Sequence, residues 1–420
     1  MSGMEEELTA DQRNAEKMIR EWYLNTDDQV FVLSGYAGTG KTFLLKRVVE
    51  GLGLEAGKQA VFVAPTGKAA SVLVKNGTPA STIHSLIYVR DDEDFEVNED
   101  GEIVRKSRLR FVKKEKIGDG IRLIVVDESS MVDNLVLRDL LSYGVKCLFS
   151  GDNAQLPPVN GANVLLEHPD YQLTEIVRQE RENPIIRLAG MARRGEYIEY
   201  GNYGGNALVV PAGFLHAEER RRLFTKAGQI IVGRNKTRAA VNREMRGYQG
   251  ISPERKLPVD GEKVICTLNN WERFIDEDRA FNLVNGIIGY CYNVEEQPDH
   301  LGKMDFRAEF LSNVVRSLPF DSAVFTHGAY AHNYGEMAVR LVDGTYVHES
   351  DYAVLRRVKA KREETICRFE FAYAITCHKA QGSEFDFVVV FDESYLFGED
   401  RARWLYTAVT RAKKKLLIIR

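Results

Sequence analysis

The residues Gly35-Tyr-Ala-Gly38-Thr39-Gly40-Lys41-Thr42 fit the pattern G-x-x-x-x-G-K-[ST]. They follow an apolar run, Val30–Leu33, and open a stretch of helical composition, Thr42–Glu50, which is the context such a loop requires. Glycines let backbone N–H groups close around phosphate oxygens, and the N-terminus of the following helix adds favourable potential. Lys41 is then placed to neutralise β- and γ-phosphates, and Thr42 to offer a hydroxyl to Mg²⁺. A second apolar run, Leu123–Val126, ends in Asp127-Glu128. An acidic pair after a strand is by itself most often a solvated turn. Downstream of a phosphate loop it reads instead as Asp127 holding Mg²⁺, through water, and Glu128 accepting a proton from an attacking water. ATP and Mg²⁺ are the expected cofactors, with Gly38, Thr39, Gly40, Lys41, Thr42 and Asp127 around them.

Such residues must sit at one edge of a parallel sheet, and the sequence supplies one. The runs Val30–Leu33, Ala60–Ala64, Leu123–Val126 and Lys146–Phe149 are short, apolar and bounded by Ser, Gly, Pro or Asp, as buried parallel strands are. A second alternating block starts at Gln229–Val232 and resumes with Phe369–Ala374, Phe387–Phe391 and Leu416–Ile419. Two excursions interrupt the plan. Between Tyr88 and Gly120, an acidic arm, Asp91–Asp100, faces a basic arm, Arg105–Lys116, with a hairpin signal at Asp100-Gly101. From Cys291 to Arg368 the chain is rich in aromatic and β-branched residues and turns.

With 420 residues the chain has room for two or three domains. Its 57 basic and 61 acidic residues leave a net charge of −4, which argues against coating nucleic acid by bulk charge and leaves local basic surfaces for any such contact. Five scattered cysteines give neither a disulfide framework nor zinc spacing. No apolar run approaches the ~20 residues that span a bilayer, and Met1-Ser-Gly-Met-Glu-Glu-Glu is acidic where a signal peptide is basic and then apolar. A cytoplasmic, intracellular protein without membrane partners is the expectation.

Further motifs follow in order: Asp127-Glu-Ser-Ser-Met131, Gly151-Asp-Asn-Ala-Gln155-Leu-Pro-Pro-Val159, Leu173-Thr-Glu-Ile-Val-Arg178-Gln179, Thr376-Cys-His-Lys379-Ala-Gln381-Gly382-Ser-Glu384 and Tyr406-Thr-Ala-Val-Thr-Arg411-Ala. Together they resemble the ordered motifs of superfamily 1 helicases, in the subgroup of the RecD and phage Dda helicases, which move 5′→3′ on single-stranded DNA. The resemblance runs from about residue 9 to residue 412. It implies an α/β fold of two RecA-like P-loop domains in tandem, with ATP in the cleft between them. The expected division is 1–87 and 121–180 for the first domain, 88–120 for a hairpin insertion, 181–290 and 369–420 for the second domain, and 291–368 for a small Src-homology-3-like β-barrel.

In this family pattern Gln155 senses the γ-phosphate, and Arg178 and Arg411 are its cationic partners from the far side of the cleft. Glu384 faces the ribose or the hydrolysis site. For Arg411 the residues alone also allow a surface salt bridge on a basic helix, since Lys413, Lys414 and Lys415 follow. Gln12 corresponds to a glutamine that reads the adenine edge, but Thr9-Ala-Asp-Gln12 is equally a capping box, and a glutamine used by the cap cannot fully serve the base.

The DNA track implied by the resemblance comprises Pro65, Thr66 and Lys68, then Thr82 and His84, Asn235 and Lys236, and Thr376, His378 and Lys379. Such side chains and strand-end N–H groups hold phosphates without reading sequence. Each is also accounted for as an exposed polar loop, and both histidines as core histidines. The charged excursion is either a strand-splitting hairpin or a salt-bridged solvated ribbon. The expected function is an ATP-dependent DNA helicase, acting as a monomer on single-stranded and forked DNA beside replication or recombination proteins. The alternative is an ATP-switched, DNA-binding translocase subunit that does not unwind by itself.

Overall fold

The computed structural model describes residues 8–90, 95–97, 103–105, 111–157, 164–177, 182–276, 281–297, 301–326, 330–333, 336–339 and 366–420. The first strands are β1 (Val30–Gly35), β2 (Ala60–Ala64) and β3 (Ala80–Thr82). A charged ribbon follows, built from β4 (Tyr88–Arg90), β5 (Phe95–Val97), β6 (Ile103–Arg105) and β7 (Phe111–Lys113). β8 (Leu123–Val126), β9 (Lys146–Gly151) and β10 (Tyr171–Leu173) complete the first domain. Its six-stranded sheet runs β10-β1-β9-β8-β2-β3, with every pairing parallel. All four β8 residues are buried, which is why they read as an unbroken apolar run rather than an alternation. Helices Ala10–Asn25, Lys41–Gly51, Gly67–Lys75 and Asn134–Leu141 cover it.

The second domain contains β11 (Gly201–Tyr203), β12 (Ala207–Val210), β13 (Gln229–Val232), β14 (Lys263–Cys266), β15 (Asn270–Phe274), β16 (Asn282–Leu283), β17 (Ile288–Gln297), β18 (Leu301–Ala308) and β19 (Val315–Asp321). β20 (Tyr330–Asn333) and β21 (Glu336–Val339) follow, then β22 (Phe369–Phe371), β23 (Ala374–Thr376), β24 (Phe385–Phe391) and β25 (Ala412–Ile419). Its main sheet has the order β11-β12-β25-β24-β13-β23. β11 alone is antiparallel there, an edge strand on an otherwise parallel sheet.

A five-stranded antiparallel sheet, β19-β18-β17-β14-β22, forms a third layer. It begins at Lys263, ahead of the expected boundary at Cys291. It also takes in Phe369–Phe371, which sequence grouping had joined to Ala374 as one strand. Both segments are largely buried and carry one charged residue, Lys263 or Glu370, and periodicity cannot say which sheet a short buried segment joins. In the charged excursion, Tyr88–Arg90 pairs antiparallel with Phe111–Lys113, and Phe95–Val97 with Ile103–Arg105. The Asp100-Gly101 tip lies outside the described residues, as does 340–365 of the β-rich insertion. Among the described residues, no helix is long and apolar enough to cross a membrane.

Candidate active site and nucleic-acid track

The phosphate loop turns out of β1 into helix Lys41–Gly51. Gly40 sits at its N-cap in the left-handed region (φ +75), where an added Cβ would come within 2.5 Å of Gln12 Nε2. Glycine is required there on both counts. Lys41 Nζ donates to the carbonyls of Gly35 (2.7 Å) and Tyr36 (3.2 Å), curling back over the loop. Thr42 Oγ1 donates to Asp127 Oδ2 at 3.1 Å, bringing the two residues expected around Mg²⁺ into contact. A hydroxyl and a carboxylate, both hard oxygen donors, suit a small divalent cation that takes its remaining ligands from water and phosphate.

Burial pushes the carboxyl of Asp127 above its ordinary range. Glu128 stands in the left-handed region (φ 53), which turns its side chain off the end of β8. Burial raises its carboxyl to about 7, against the pull of Arg411 and Lys41 and with a push from Asp127 and Glu384. Gln155 is buried, and its Oε1 has no hydrogen-bond partner among the described residues. An orphaned buried acceptor beside a phosphate loop fits a site built for an additional group.

From the second domain, helix Arg401–Val409 meets this edge. Arg411 is 4% exposed, so it is not the surface salt bridge that its neighbours suggested. Its Nε donates to Thr407 O (3.0 Å), Nη1 to Ser383 O (3.2 Å) and Nη2 to Thr410 Oγ1 (3.0 Å). Lys413, Lys414 and Lys415 lie on β25 rather than on a helix. Lys413 pairs with Glu384 at 2.9 Å, which leaves that glutamate exposed at the rim. Arg178 lies outside the described residues.

Gln12 forms the complete capping box: its Oε1 accepts from Thr9 N (3.0 Å) while Thr9 Oγ1 accepts from Gln12 N (3.1 Å). Its Nε2 donates to Thr39 O (2.9 Å). The side chain thus braces the phosphate loop, and only one amide hydrogen and one lone pair remain for a base.

The expected DNA contacts divide. Thr66 and Thr82 are N-caps, accepting from Ala69 N and Ser85 N, and Pro65 is half-buried in the turn before Thr66. Asn235 and Lys236 are exposed at the start of helix Asn235–Tyr248. The amides ahead of them are taken: Glu393 Oε2 accepts from Gly233 N (2.8 Å) and Arg234 N (2.9 Å). Sequence reasoning missed Glu393, which no local motif marks. His84 and His378 are held below their ordinary range by burial and lie beside Tyr88 and Phe397. Thr376 is half-buried at its helix N-cap.

Two lysines depart from the exposed-loop expectation. Lys379 pairs with Glu370 (3.6 Å), which Arg238 also contacts. Lys68 points inward, 4.3 Å from the Phe385 ring and 3.8 Å from Glu309 Oε2. Its helix packs on the β-rich layer, with Gly67 against Val284 and Ile287.

Comparison with known proteins accords with this layout. A family described as an AAA domain matches residues 7–207, and the UvrD-like helicase C-terminal domain matches 371–419. The two matches accord with the superfamily 1 class that the ordered motifs resemble. Within it, the chain resembles the RecD, Dda and Pif1 group of helicases. It is 27% identical over 407 residues to the ATP-dependent RecD2 DNA helicase of Deinococcus radiodurans, covering 92% of this chain and 46% of that one. It is 31% identical over 205 residues to the ATP-dependent DNA helicase dda of Enterobacteria phage T4, covering 46% and 44%. The chain spans less than half the length of either relative. The fold also matches Pif1 helicase from Bacteroides in complex with ADP-AlF3 and ssDNA, with a TM-score of 0.50 at 18% identity over 98% of this chain and 92% of that one.

Proposed function

We propose that the chain is an ATP-dependent DNA helicase that translocates 5′→3′ on single-stranded DNA and opens forked duplex. The observation that carries the reading is the buried Arg411, presented by the second domain and acting on Glu128 of the first. A catalytic carboxylate and a cation on opposite sides of a cleft tie hydrolysis to the relative position of two domains.

In this reading the backbone N–H groups of Gly38, Thr39 and Gly40 wrap the phosphates, and Lys41 leaves its loop carbonyls to neutralise them. Thr42 and Asp127 would hold Mg²⁺, which would supply charge neutralisation to the bound phosphates. Glu128 takes the proton of the attacking water, and the orphaned acceptor of Gln155 orients that water's O–H. Arg411, with Arg178, meets the charge that builds on the transferred phosphoryl group. Glu384 works at the rim and Gln12 beside the base.

Single-stranded DNA lies over Pro65, Thr66, Thr82, His84, Asn235, Lys236, Thr376 and His378, whereas Lys68 and Lys379 serve internal partners. The charged ribbon 88–120 is the separating element, and the β-rich layer is the small Src-homology-3-like barrel. Cleft closure on ATP and reopening after hydrolysis would alternate the grip of the two domains and so move the chain along the strand.

Strand displacement on duplexes carrying either a 5′ or a 3′ single-stranded tail tests this, with Lys41→Ala as control. Unwinding of the 5′-tailed duplex alone, abolished in Lys41→Ala, is the expected result. ATP hydrolysis without displacement on either substrate would leave only the translocase-subunit reading, and normal turnover in folded Lys41→Ala would sink the nucleotide site.

A further inference from the structure

Arg411 is useful only if it is held at a set distance from the phosphate loop, and one turn of helix before it makes the contacts that could do this. Tyr406 is buried, and its hydroxyl accepts from Ala37 N in the phosphate loop at 2.8 Å. The same hydroxyl donates to Asp152 Oδ2, whose other oxygen accepts from Ala154 N at 3.0 Å. Its neighbour Thr407, fully buried, accepts from Leu156 N through Oγ1 at 2.9 Å. The Leu156 carbonyl in turn accepts from Gln381 Nε2 at 2.7 Å. Apart from the local bond between Ala154 and Asp152, these bonds cross between the two domains. They grip the phosphate loop on one side and, on the other, the segment that carries Gln155. Thr407 O is also the acceptor for Arg411 Nε, so the residue that docks the helix anchors the guanidinium.

We propose that Tyr406 and Thr407 are positioning residues that seat Arg411 against the phosphate loop by docking its helix on Ala37, Asp152 and Leu156. This rests on the reading of Arg411 as the cation at the transferred phosphate. Neither side chain needs to touch the nucleotide. A hydroxyl that bridges a loop amide and a buried carboxylate is directional, so its loss frees the helix to shift without emptying any core volume.

The test uses the full chain, with ATP, Mg²⁺ and single-stranded DNA, and compares Tyr406→Phe, Thr407→Val, Arg411→Ala and the Tyr406→Phe/Arg411→Ala double variant. Tyr406→Phe keeps the ring and its packing. DNA-stimulated kcat should fall about tenfold or more, while the affinity for a fluorescent ADP analogue stays within about threefold. The double variant should be no slower than Arg411→Ala alone, because a helix with no arginine has nothing left to position. A general structural defect would multiply the two losses instead, and would overturn the inference. So would a Tyr406→Phe enzyme that turns over within about threefold of the parent. Thr407→Val, which removes the adjacent tie, carries the same comparison should Tyr406→Phe fail to fold. Parent-level turnover in Arg411→Ala would overturn the function of Arg411 and the positioning together. Slow Arg411→Ala beside fast Tyr406→Phe overturns the positioning alone.

Discussion

Replacing Lys68 by methionine separates the two accounts of that lysine most sharply. Its ammonium is buried with no hydrogen-bond partner among the described residues, over Phe385 and near the carboxylate of Glu309, which Lys263 already contacts at 3.1 Å. Burial lowers its pKa from 10.5 to about 7, against the pull of Glu309, with Lys263, Lys75 and Arg411 pushing further down. Between those two values the unfolded chain binds a proton that the folded chain does not, so this lysine makes stability rise with pH. The cost of burying it is fully present below about pH 7 and gone above about 10.5. At ~1.4 kcal/mol per tenfold, it amounts to about 4 kcal/mol at pH 7 and about 2 kcal/mol at pH 9. Methionine keeps the stem on Phe385, removes the charge and leaves Glu309 to Lys263. Lys68→Met should therefore melt higher than the parent by roughly 5–10 °C at pH 7, with the gap about half as large at pH 9. The slope of log affinity for single-stranded DNA against log salt should stay unchanged, whereas loss of one phosphate contact would flatten it by about 0.7. A lower melting temperature at pH 7, a gap independent of pH, or the flattened slope would each refute the buried-clasp account.

Other perturbations follow from the same geometry. Glu128→Gln should bind nucleotide yet hydrolyse it at least about a hundredfold more slowly, measured by phosphate release; turnover near the parent's would remove Glu128 as the base. Glu370 is raised by burial, but Arg238 and then Lys379 outweigh this and hold it at about 2. Its stabilising contribution is present above its ordinary 4.5 and lost as pH falls toward 2, so Glu370→Gln should cost about 3 kcal/mol in denaturant titrations at pH 7 and progressively less below pH 4.5. Replacing Asp91–Lys116 by a short Gly/Ser link should spare DNA-stimulated ATP hydrolysis and reduce strand separation. Equal unwinding of forked DNA by the shortened chain would move the separating element to the β-rich layer.

Much of this protein is determined by local sequence. The phosphate loop needs glycine at position 40 because the backbone there is left-handed and Gln12 occupies the space a Cβ would fill. The acidic pair must follow β8 because a strand buried on both faces can be written only in apolar residues and can end only where polar ones begin. Thr9 and Gln12 encode their cap within four residues. These features depend on neighbours in the chain, so composition and spacing disclose them. The direction a long polar side chain takes depends on what other elements bring to it. Lys68 and Lys379 read as exposed cations until Phe385, Glu309 and Glu370 are folded against them. Arg411 reads as part of a basic surface until its helix docks. Tyr406 lies inside a recognisable motif, but its bonds to Ala37 and Asp152 span 369 and 254 residues of chain. Contacts of that separation arise only when two sheets meet, and there the buried polar groups of one domain obtain partners that their own segments cannot supply.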